Sequence, residues 1–392
     1  MSLDANMRFV SHLDLDTFFV SVERLKNSGF VGKPLIVGGM SDRGVVSTCS
    51  YEARQFGVHS AMPMKLALRL CPQAIVVRGD YDSYSYYSRL VTDIIRDSVP
   101  VVEKASIDEF YVDLTGVDRF FGCSQFMVTV KDKIRRESGL PISYALASNK
   151  LISKVATEDA KPDGKKEILH GLEKSYLAPL HIKRMPGIGD KTSILLEQMG
   201  VNTIKLLSEI PVPMMQNLLG KNGIELSRKA NGIDSTAIVP YSEQKSMGAE
   251  ETFEQDTIDI HFLKGEIVRL TEKLAFQLRH AKRLTGCITV KLRYSNFNTE
   301  SKQMVISYTS SDTILICKAK ELFTKLYNKR MLVRLVGVRF SHLVHGGQQI
   351  HIFEDTEEAV RLYQAMDAMR NRFGDDIVKR AISLPAKRHS KG

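Results

Sequence analysis

At 392 residues the chain is too long for one ordinary core and is expected to fold as two to four domains. Apolar residues make up 43% and charged residues 26%, a globular composition, and no apolar run nears the roughly 18 residues that span a bilayer. The net charge of +10 points to a polyanionic partner, while five scattered cysteines without a CxxC pair argue for a reducing cytoplasm and against zinc or disulfides. The N-terminus lacks the apolar stretch of a signal peptide. Met1-Ser2-Leu3 reads as a cloning remnant ahead of a native start at Met7.

Residues 8–16 alternate into a strand that ends in acids, and 17–27 follow as a helix with Phe18, Val22 and Leu25 on one stripe. Leu35–Val37 and Arg43–Ser47 read as short strands, with a helix-like stretch from Tyr51. An amphipathic helix is expected at 85–98, strands over 101–108 and 110–114, and a helix near 124–138. Ile142–Ala147 give another strand, followed by a helix from Lys150 to Asp159. Strands alternating with helices make this first half a mixed α/β sheet domain.

From about 177 to 232 the pattern changes to short helices with Gly-rich turns, and 233–246 read as a polar linker. A helix at 258–281, strands at 286–294 and 302–309, a helix at 312–327 and a strand at 333–341 then make a small α+β domain. Between Arg279 and His345 thirteen Lys/Arg stand against three acids, an excess equal to the net charge of the whole chain. A solvated basic face is usually interspersed with acids, so this stretch reads as a nucleic-acid surface. A tail follows, with a helix from Thr356 to Phe373 and a basic end.

Two acidic spots end or precede strands: Asp14-Leu15-Asp16 and Ser106-Ile107-Asp108-Glu109. A lone DxD is more often a turn or cap than a metal site. Two such spots on one sheet can converge, however, and three carboxylates at one point repel unless a cation sits between them. Oxygen-only ligands of that charge suit Mg²⁺ and phosphoryl transfer.

HLDLDTFFVSVE at 12–23, STCSYEARQFGVHSAMP at 47–63, ASIDEFYVDLTG at 105–116 and AKPDG at 160–164 closely resemble the Y-family DNA polymerases, in their polymerase IV (DinB) branch. The resemblance runs in order from about residue 8 to 345. It implies an α+β multidomain polymerase right hand. The palm would be a mixed α/β domain at 1–23 and 82–175, with small fingers at 24–81. A helix–hairpin–helix thumb at 176–240, a linker at 241–246, an α+β little finger at 247–345 and a tail at 346–392 complete the expected order.

The implied activity is low-fidelity, template-directed DNA synthesis across damaged template, without a proofreading exonuclease. Primer–template DNA and dNTPs would be the partners, in a cytoplasmic monomer. Asp14 and Asp108 match shared ligands of two Mg²⁺ ions, Leu15 lends a backbone carbonyl, and Glu109 lies beside the primer 3′-OH. Asp16 matches a position that is not a direct ligand, and Asp113 reads as part of the strand's exit turn.

For the nucleotide pocket, Phe18 and Phe19 read from composition alone as helix-core aromatics. The resemblance makes Phe19 the steric gate against a ribose 2′-OH and places Phe18 with it among the nucleotide-binding residues. Tyr51 and Arg54, three apart on a helix face, match triphosphate contacts together with Thr48 and Lys161. Without the resemblance, Lys161 is an exposed loop lysine. The small residues Gly44, Val45, Val46 and Ser47 would roof the nascent base pair.

Gly187, Gly189 and Lys191 lie in a segment that reads either as a Gly-rich interhelical turn or as a helix–hairpin–helix offering backbone N–H groups to phosphate. A weaker copy spans 219–223. Lys282, Arg283, Lys291, Arg293, Arg334 and Arg339 are candidate DNA-backbone contacts. Gln349, Ile352 and Phe353 belong to a peptide that reads as a short strand or, by resemblance, as a sliding-clamp-binding motif. An inactive scaffold on the same palm and a palm-like nucleotidyl cyclase are the competing readings. The intact acids count against the first, and the chain beyond the palm counts against the second.

Overall fold

Strand β1 (Val10–Leu15) buries its polar residues Ser11, His12 and Asp14 as fully as its apolar Val10, Leu13 and Leu15. It lies at the centre of a sheet, which covers both of its edges. The computed structural model describes residues 7–117, 122–346, 357–374 and 377–383. They divide into two compact units, 1–242 and 243–392.

In the first unit, β1 leads into helix α1 (Phe18–Lys26). A small subdomain follows: β2 (Leu35–Gly38), β3 (Val46–Cys49), α2 (Tyr51–Arg54), α3 (Met64–Leu70) and β4 (Ile75–Val77). The chain then returns through α4 (Tyr81–Arg96), β5 (Val101–Lys104), β6 (Glu109–Asp113), α5 (Cys123–Ser138), β7 (Ile142–Ala147), α6 (Lys150–Ala160) and β8 (Lys165–Glu167). The main sheet has the order β5-β6-β1-β7-β8, with β1 antiparallel to both neighbours. One face packs on α1, α4 and α5 through Leu13, Leu15, Val91, Ile95, Phe110, Val130 and Ile134. The subdomain has its own three-stranded sheet, order β3-β2-β4, and its own core around Ile36, Cys49, Val58 and Met64.

Two strand readings shift. The strand expected at Arg43–Ser47 forms instead at Val46–Cys49. A Cβ on Gly44 would lie 2.0 Å from the Gly39 carbonyl oxygen, so the chain turns tightly at 39–44 and pairing begins only afterwards. The strand expected over 101–108 stops at Lys104, because the Ser106 hydroxyl accepts from the backbone N–H groups of Asp108 and Glu109 and closes a turn. Asp113 ends β6, and its carboxylate accepts from the Thr115 N–H, as an exit turn requires.

Helices α7 (Glu173–Leu177), α8 (Asp190–Gln198), α9 (Ile204–Glu209), α10 (Val212–Leu219) and α11 (Lys221–Ala230) continue the first unit. Their apolar residues share one core with Leu151, Ile152 and Val155 of α6. Asn149 and the Leu151 N–H bind Gly232 and Asp234, which ties the far end of this helical region back to the start of α6.

The second unit runs β9 (Ser246–Thr257), α12 (Ile260–His280), β10 (Arg283–Tyr294), β11 (Thr299–Thr309), α13 (Asp312–Leu326), β12 (Val333–His345) and α14 (Glu357–Phe373). Its antiparallel sheet has the order β11-β10-β12-β9. Ile288, Val290, Leu292, Val336, Val338 and Phe340 pack on α12 and α13. No strand is expected between the linker at 233–246 and the helix at 258, the stretch that forms β9. That strand is an edge, largely half-buried, and its core-facing row of Met247, Ala249 and Phe253 is interrupted by Glu251, which weakens the apolar alternation that marks a strand in sequence. Helix α14 returns to α12: Arg279 forms a bidentate pair with Asp367 (2.7 and 2.8 Å) and also binds the fully buried Asp312. Among the described residues, no helix is long and apolar enough to cross a membrane.

Gly223 packs where a Cβ would sit 2.0 Å from the Met215 carbonyl oxygen, whereas a Cβ on Gly189 would meet nothing within 4 Å. In chemical denaturation, Gly223→Ala should therefore cost about 1–3 kcal/mol through overpacking, and Gly189→Ala should stay within about 0.5 kcal/mol. Equal effects at the two positions would contradict this packing.

Candidate active site

The first acid is placed by pairing. Asp14 stands opposite Glu109 in the β1–β6 ladder, and the next residue, Leu15, donates its N–H to the Asp108 carbonyl at 3.1 Å. Ser106 donates its hydroxyl to the Asp108 carboxylate at 2.6 Å while accepting from the Glu109 N–H. The two acidic spots, far apart in sequence, thus meet at one end of the central strands.

Their charges are met by lysines. Asp14, only 6% exposed, accepts from Lys161 Nζ at 2.8 Å. Glu109 takes Lys154 Nζ on both oxygens, at 2.6 and 2.7 Å. Among the described residues, no group of three or more His, Cys, Asp or Glu side chains is arranged to hold a metal ion. Burial pushes the Asp14 carboxyl up to about 7; Lys161 opposes the shift, and Asp108 and Glu109 add to it. Burial lowers Lys161, but Asp14 and Glu158 outweigh it and raise that ammonium above its ordinary range.

In donor chemistry, though not in the present arrangement, where lysines hold them, these acids suit a hard divalent cation: they are carboxylates, and the most buried of them is driven toward protonation by burial and by its own neighbours. Added positive charge would relieve both.

Beneath the acids, His12 lies with Nε2 3.9 Å from Glu109 and Nδ1 3.0 Å from the Thr157 hydroxyl. Burial, then the positive charges of Lys154, Lys161 and Lys150, lower its pKa well below the usual value, so it is neutral. Asp16, 1% exposed, accepts from the Ser143 hydroxyl, the Asp163 N–H and the Tyr51 hydroxyl.

Sequence reasoning missed Lys154 and Ser106. Lys150 and Lys154 are four apart on α6 and share a face. Lys150 pairs with Glu103 at 2.7 Å as Lys154 does with Glu109, so a spacing signal was present. The Ser106 turn carried no such signal.

The adjacent aromatics separate cleanly. Phe18, 3% exposed, lies in the core, while Phe19 is partly exposed and stacks on Tyr84 with centroids 4.1 Å apart and planes 10° apart. Tyr81 meets Phe19 edge-on. Thr17 between the acids and α1 adopts φ 42°, left-handed backbone that a β-branched residue seldom takes. Thr48 is half-buried on β3. Tyr51 opens α2, whose N-terminus is capped by the Ser50 hydroxyl. The exposed Arg54 guanidinium lies 5.1 Å from the Tyr51 ring centroid, so the expected shared face is formed.

Gly187, Gly189 and Lys191 are exposed in the turn that opens α8. Gly187 requires its residue type, with φ +102°, while Gly189 at φ −88° does not. The expected weaker copy at 219–223 likewise opens a helix, α11.

In the second unit the basic candidates differ. Lys291 and Arg293 alternate with core residues of β10 and project from the face away from α12 and α13; the exposed Arg339, paired in register with Thr289, joins them. Lys291 is bonded to Glu250 at 2.8 Å. Arg283 donates to the Gln244 carbonyl, Arg334 lies over the Phe297 ring, and Lys282 is exposed in the turn before β10. Gln349, Ile352 and Phe353 lie outside the described residues.

Residues 13–158 match the impB/mucB/samB family, and residues 244–352 match that family's C-terminal domain. The chain belongs to this family, the Y-family DNA polymerases. It is 37% identical over 378 residues to a protein named DNA polymerase IV from Dehalococcoides mccartyi, covering 95% of this chain and 97% of that protein. DNA polymerase IV of Treponema denticola is 33% identical over 379 residues, covering 95% and 96%. A solved Y-family DNA polymerase chimera superposes with a TM-score of 0.77 at 25% identity, over 86% of this chain and all of that one. The right-hand polymerase architecture expected from sequence is the one observed.

Because Lys161 holds the Asp14 pKa down, Lys161→Ala should raise it further. Carbon-detected NMR titration of the Asp14 carboxyl would show this; an unchanged or lower midpoint would contradict the pairing.

Proposed function

We propose that this chain is a template-directed DNA polymerase of low fidelity that extends primers past damaged template positions, transferring nucleotides from dNTPs to a primer 3′-OH without a proofreading exonuclease. The observation that carries this reading is the buried Asp14, set opposite Glu109 at the end of the central strands, with the next residue, Leu15, donating its N–H to the Asp108 carbonyl. It uses divalent metal, and we assign two Mg²⁺ ions per site. Asp14, Asp108, Glu109 and the Leu15 carbonyl would hold them. Bound there, the cations would activate the 3′-OH and neutralise the departing pyrophosphate.

The chain's own residues supply the rest. Lys161 and Lys154 balance the acids when the cations are absent and must yield when they bind. Arg54, Tyr51, Thr48 and Lys161 are assigned to the triphosphate; a guanidinium suits its oxygens best. Phe19, locked against Tyr84, is assigned to the sugar. A ribose 2′-OH pressed on that ring would lose its water and gain no partner, which costs about 1–3 kcal/mol. Phe18, buried beside it, supports the wall from the core.

The sheet of residues 10–167 is read as the palm, the subdomain of 35–77 as the fingers, the helices of 173–230 as the thumb and the second unit's sheet as the little finger. Lys291, Arg293 and Arg339 on the open sheet face, and the N–H groups at the start of α8, would meet DNA backbone without reading sequence. A sliding clamp as partner, a monomeric state and a cytoplasmic setting complete the reading.

Asp108→Ala should abolish primer extension while primer–template binding survives. Extension at the wild-type rate would remove the assignment. Phe19→Ala should raise ribonucleotide incorporation relative to dNTP by about 5–150-fold, the equivalent of the lost penalty. Unchanged sugar selectivity in single-nucleotide extension would place the gate elsewhere.

A further inference from the structure

Asp16 is among the most buried charged residues of the first unit, and the reaction described above does not use it. An ionised carboxylate only accepts hydrogen bonds. Its three donors come from three separate parts of the chain. Ser143 on β7 offers its hydroxyl at 3.0 and 2.9 Å to the two oxygens. Asp163, in the loop after α6, donates its backbone N–H at 2.7 Å. Tyr51, at the start of α2, reaches it at 3.4 Å.

Ser143 extends the anchor, because its hydroxyl oxygen also accepts from the Gly164 N–H at 3.2 Å. Two successive N–H groups of the 161–164 loop are therefore fixed to the β1–β7 pair. Gly164 has no room for a Cβ, which would fall 1.9 Å from the Ala160 carbonyl oxygen. The outer side of the loop is fixed as well: Lys131 and Arg135 of α5 each reach the Asp163 carboxylate at 3.0 Å. Asp14 and Asp16 lie two apart where β1 ends. Asp14 takes the Lys161 ammonium and Asp16 takes the Asp163 N–H, so the end of β1 grips the loop at two points.

These bonds differ in how readily they break. The Asp163 bond is short and made by backbone. The Tyr51 bond is the longest, and its single hydroxyl hydrogen can turn to another acceptor. Resting on the assignment of Lys161 and Tyr51 to the triphosphate, we propose that Asp16 is a positioning residue for the incoming nucleotide. It fixes the backbone pivot from which Lys161 swings off Asp14 onto phosphate, and it holds the Tyr51 hydroxyl until phosphate replaces it as acceptor. Asp16 itself touches neither nucleotide nor metal.

Steady-state single-nucleotide insertion tests this in Asp16→Asn, Ser143→Ala, Lys161→Ala and the double variant Asp16→Asn/Lys161→Ala, with folding checked by thermal melting. An amide in place of the carboxylate loses one acceptor oxygen and cannot satisfy all three donors. Asp16→Asn should raise KM for dNTP about tenfold, with kcat within about threefold and primer–template Kd unchanged. Ser143→Ala should move KM in the same direction, and it decides the question if Asp16→Asn fails to fold. Adding Asp16→Asn to Lys161→Ala should raise KM by less than Asp16→Asn does alone, because the pivot then has nothing to carry and only the hold on Tyr51 is lost. A fall in kcat at constant KM, or effects that multiply in the double variant, would overturn the proposal. Should Lys161→Ala alone leave KM unchanged, the triphosphate assignment itself fails, whatever Asp16 does.

Discussion

A carboxylate at the end of a central strand, with sheet on both sides and helix behind, must have positive charge beside it. Asp14 is in that position: burial alone drives it toward the protonated form, and two further acids stand next to it. In this state the charge is an ammonium, from Lys161. The same requirement recurs at Glu109 with Lys154 and at Glu103 with Lys150, so one face of α6 and the loop beyond it supply cations to three neighbouring strands. The architecture of the sheet follows from this need. Antiparallel pairing of β1 with both β6 and β7 puts the acids at one end, and the β7–α6 connection brings the lysines across them.

A site balanced in this way is prepared for exchange. Ammonium groups on flexible stems can leave when harder, more compact cations arrive, and a phosphate-bearing substrate offers the displaced lysines new partners. The aromatic wall is rigid by contrast, with Phe19 stacked on Tyr84 and Phe18 locked in the core. Charges on flexible stems and rings fixed by stacking thus stand side by side at one end of the sheet.

Much of this was legible from the chain itself. The acidic strand ends, the Tyr51–Arg54 helix face and the change from mixed sheet to short helices all follow from local pattern. What escaped did so for physical reasons. The edge strand β9 carries glutamates where a core strand would carry valines. The shift of β3 depends on contact between Gly39 and Gly44, and the early end of β5 on one serine hydroxyl. Lys154 and the Asp16 hub are tertiary facts: their partners lie 45 residues away at Glu109 and 127 at Ser143. Periodicity describes which way a side chain faces, not which distant group it will meet.

We infer that Asp14, Asp108 and Glu109 form one cation site, with Lys161 and Lys154 balancing Asp14 and Glu109 in this structure. The most direct measurement is anomalous diffraction from crystals of the protein with Mn²⁺, primer–template DNA and a non-hydrolysable dNTP. Peaks are expected within coordination distance of all three carboxylates, with the Lys161 and Lys154 ammonium groups moved off Asp14 and Glu109. Ions bound elsewhere, with both lysine pairs intact beside a bound nucleotide, would contradict it.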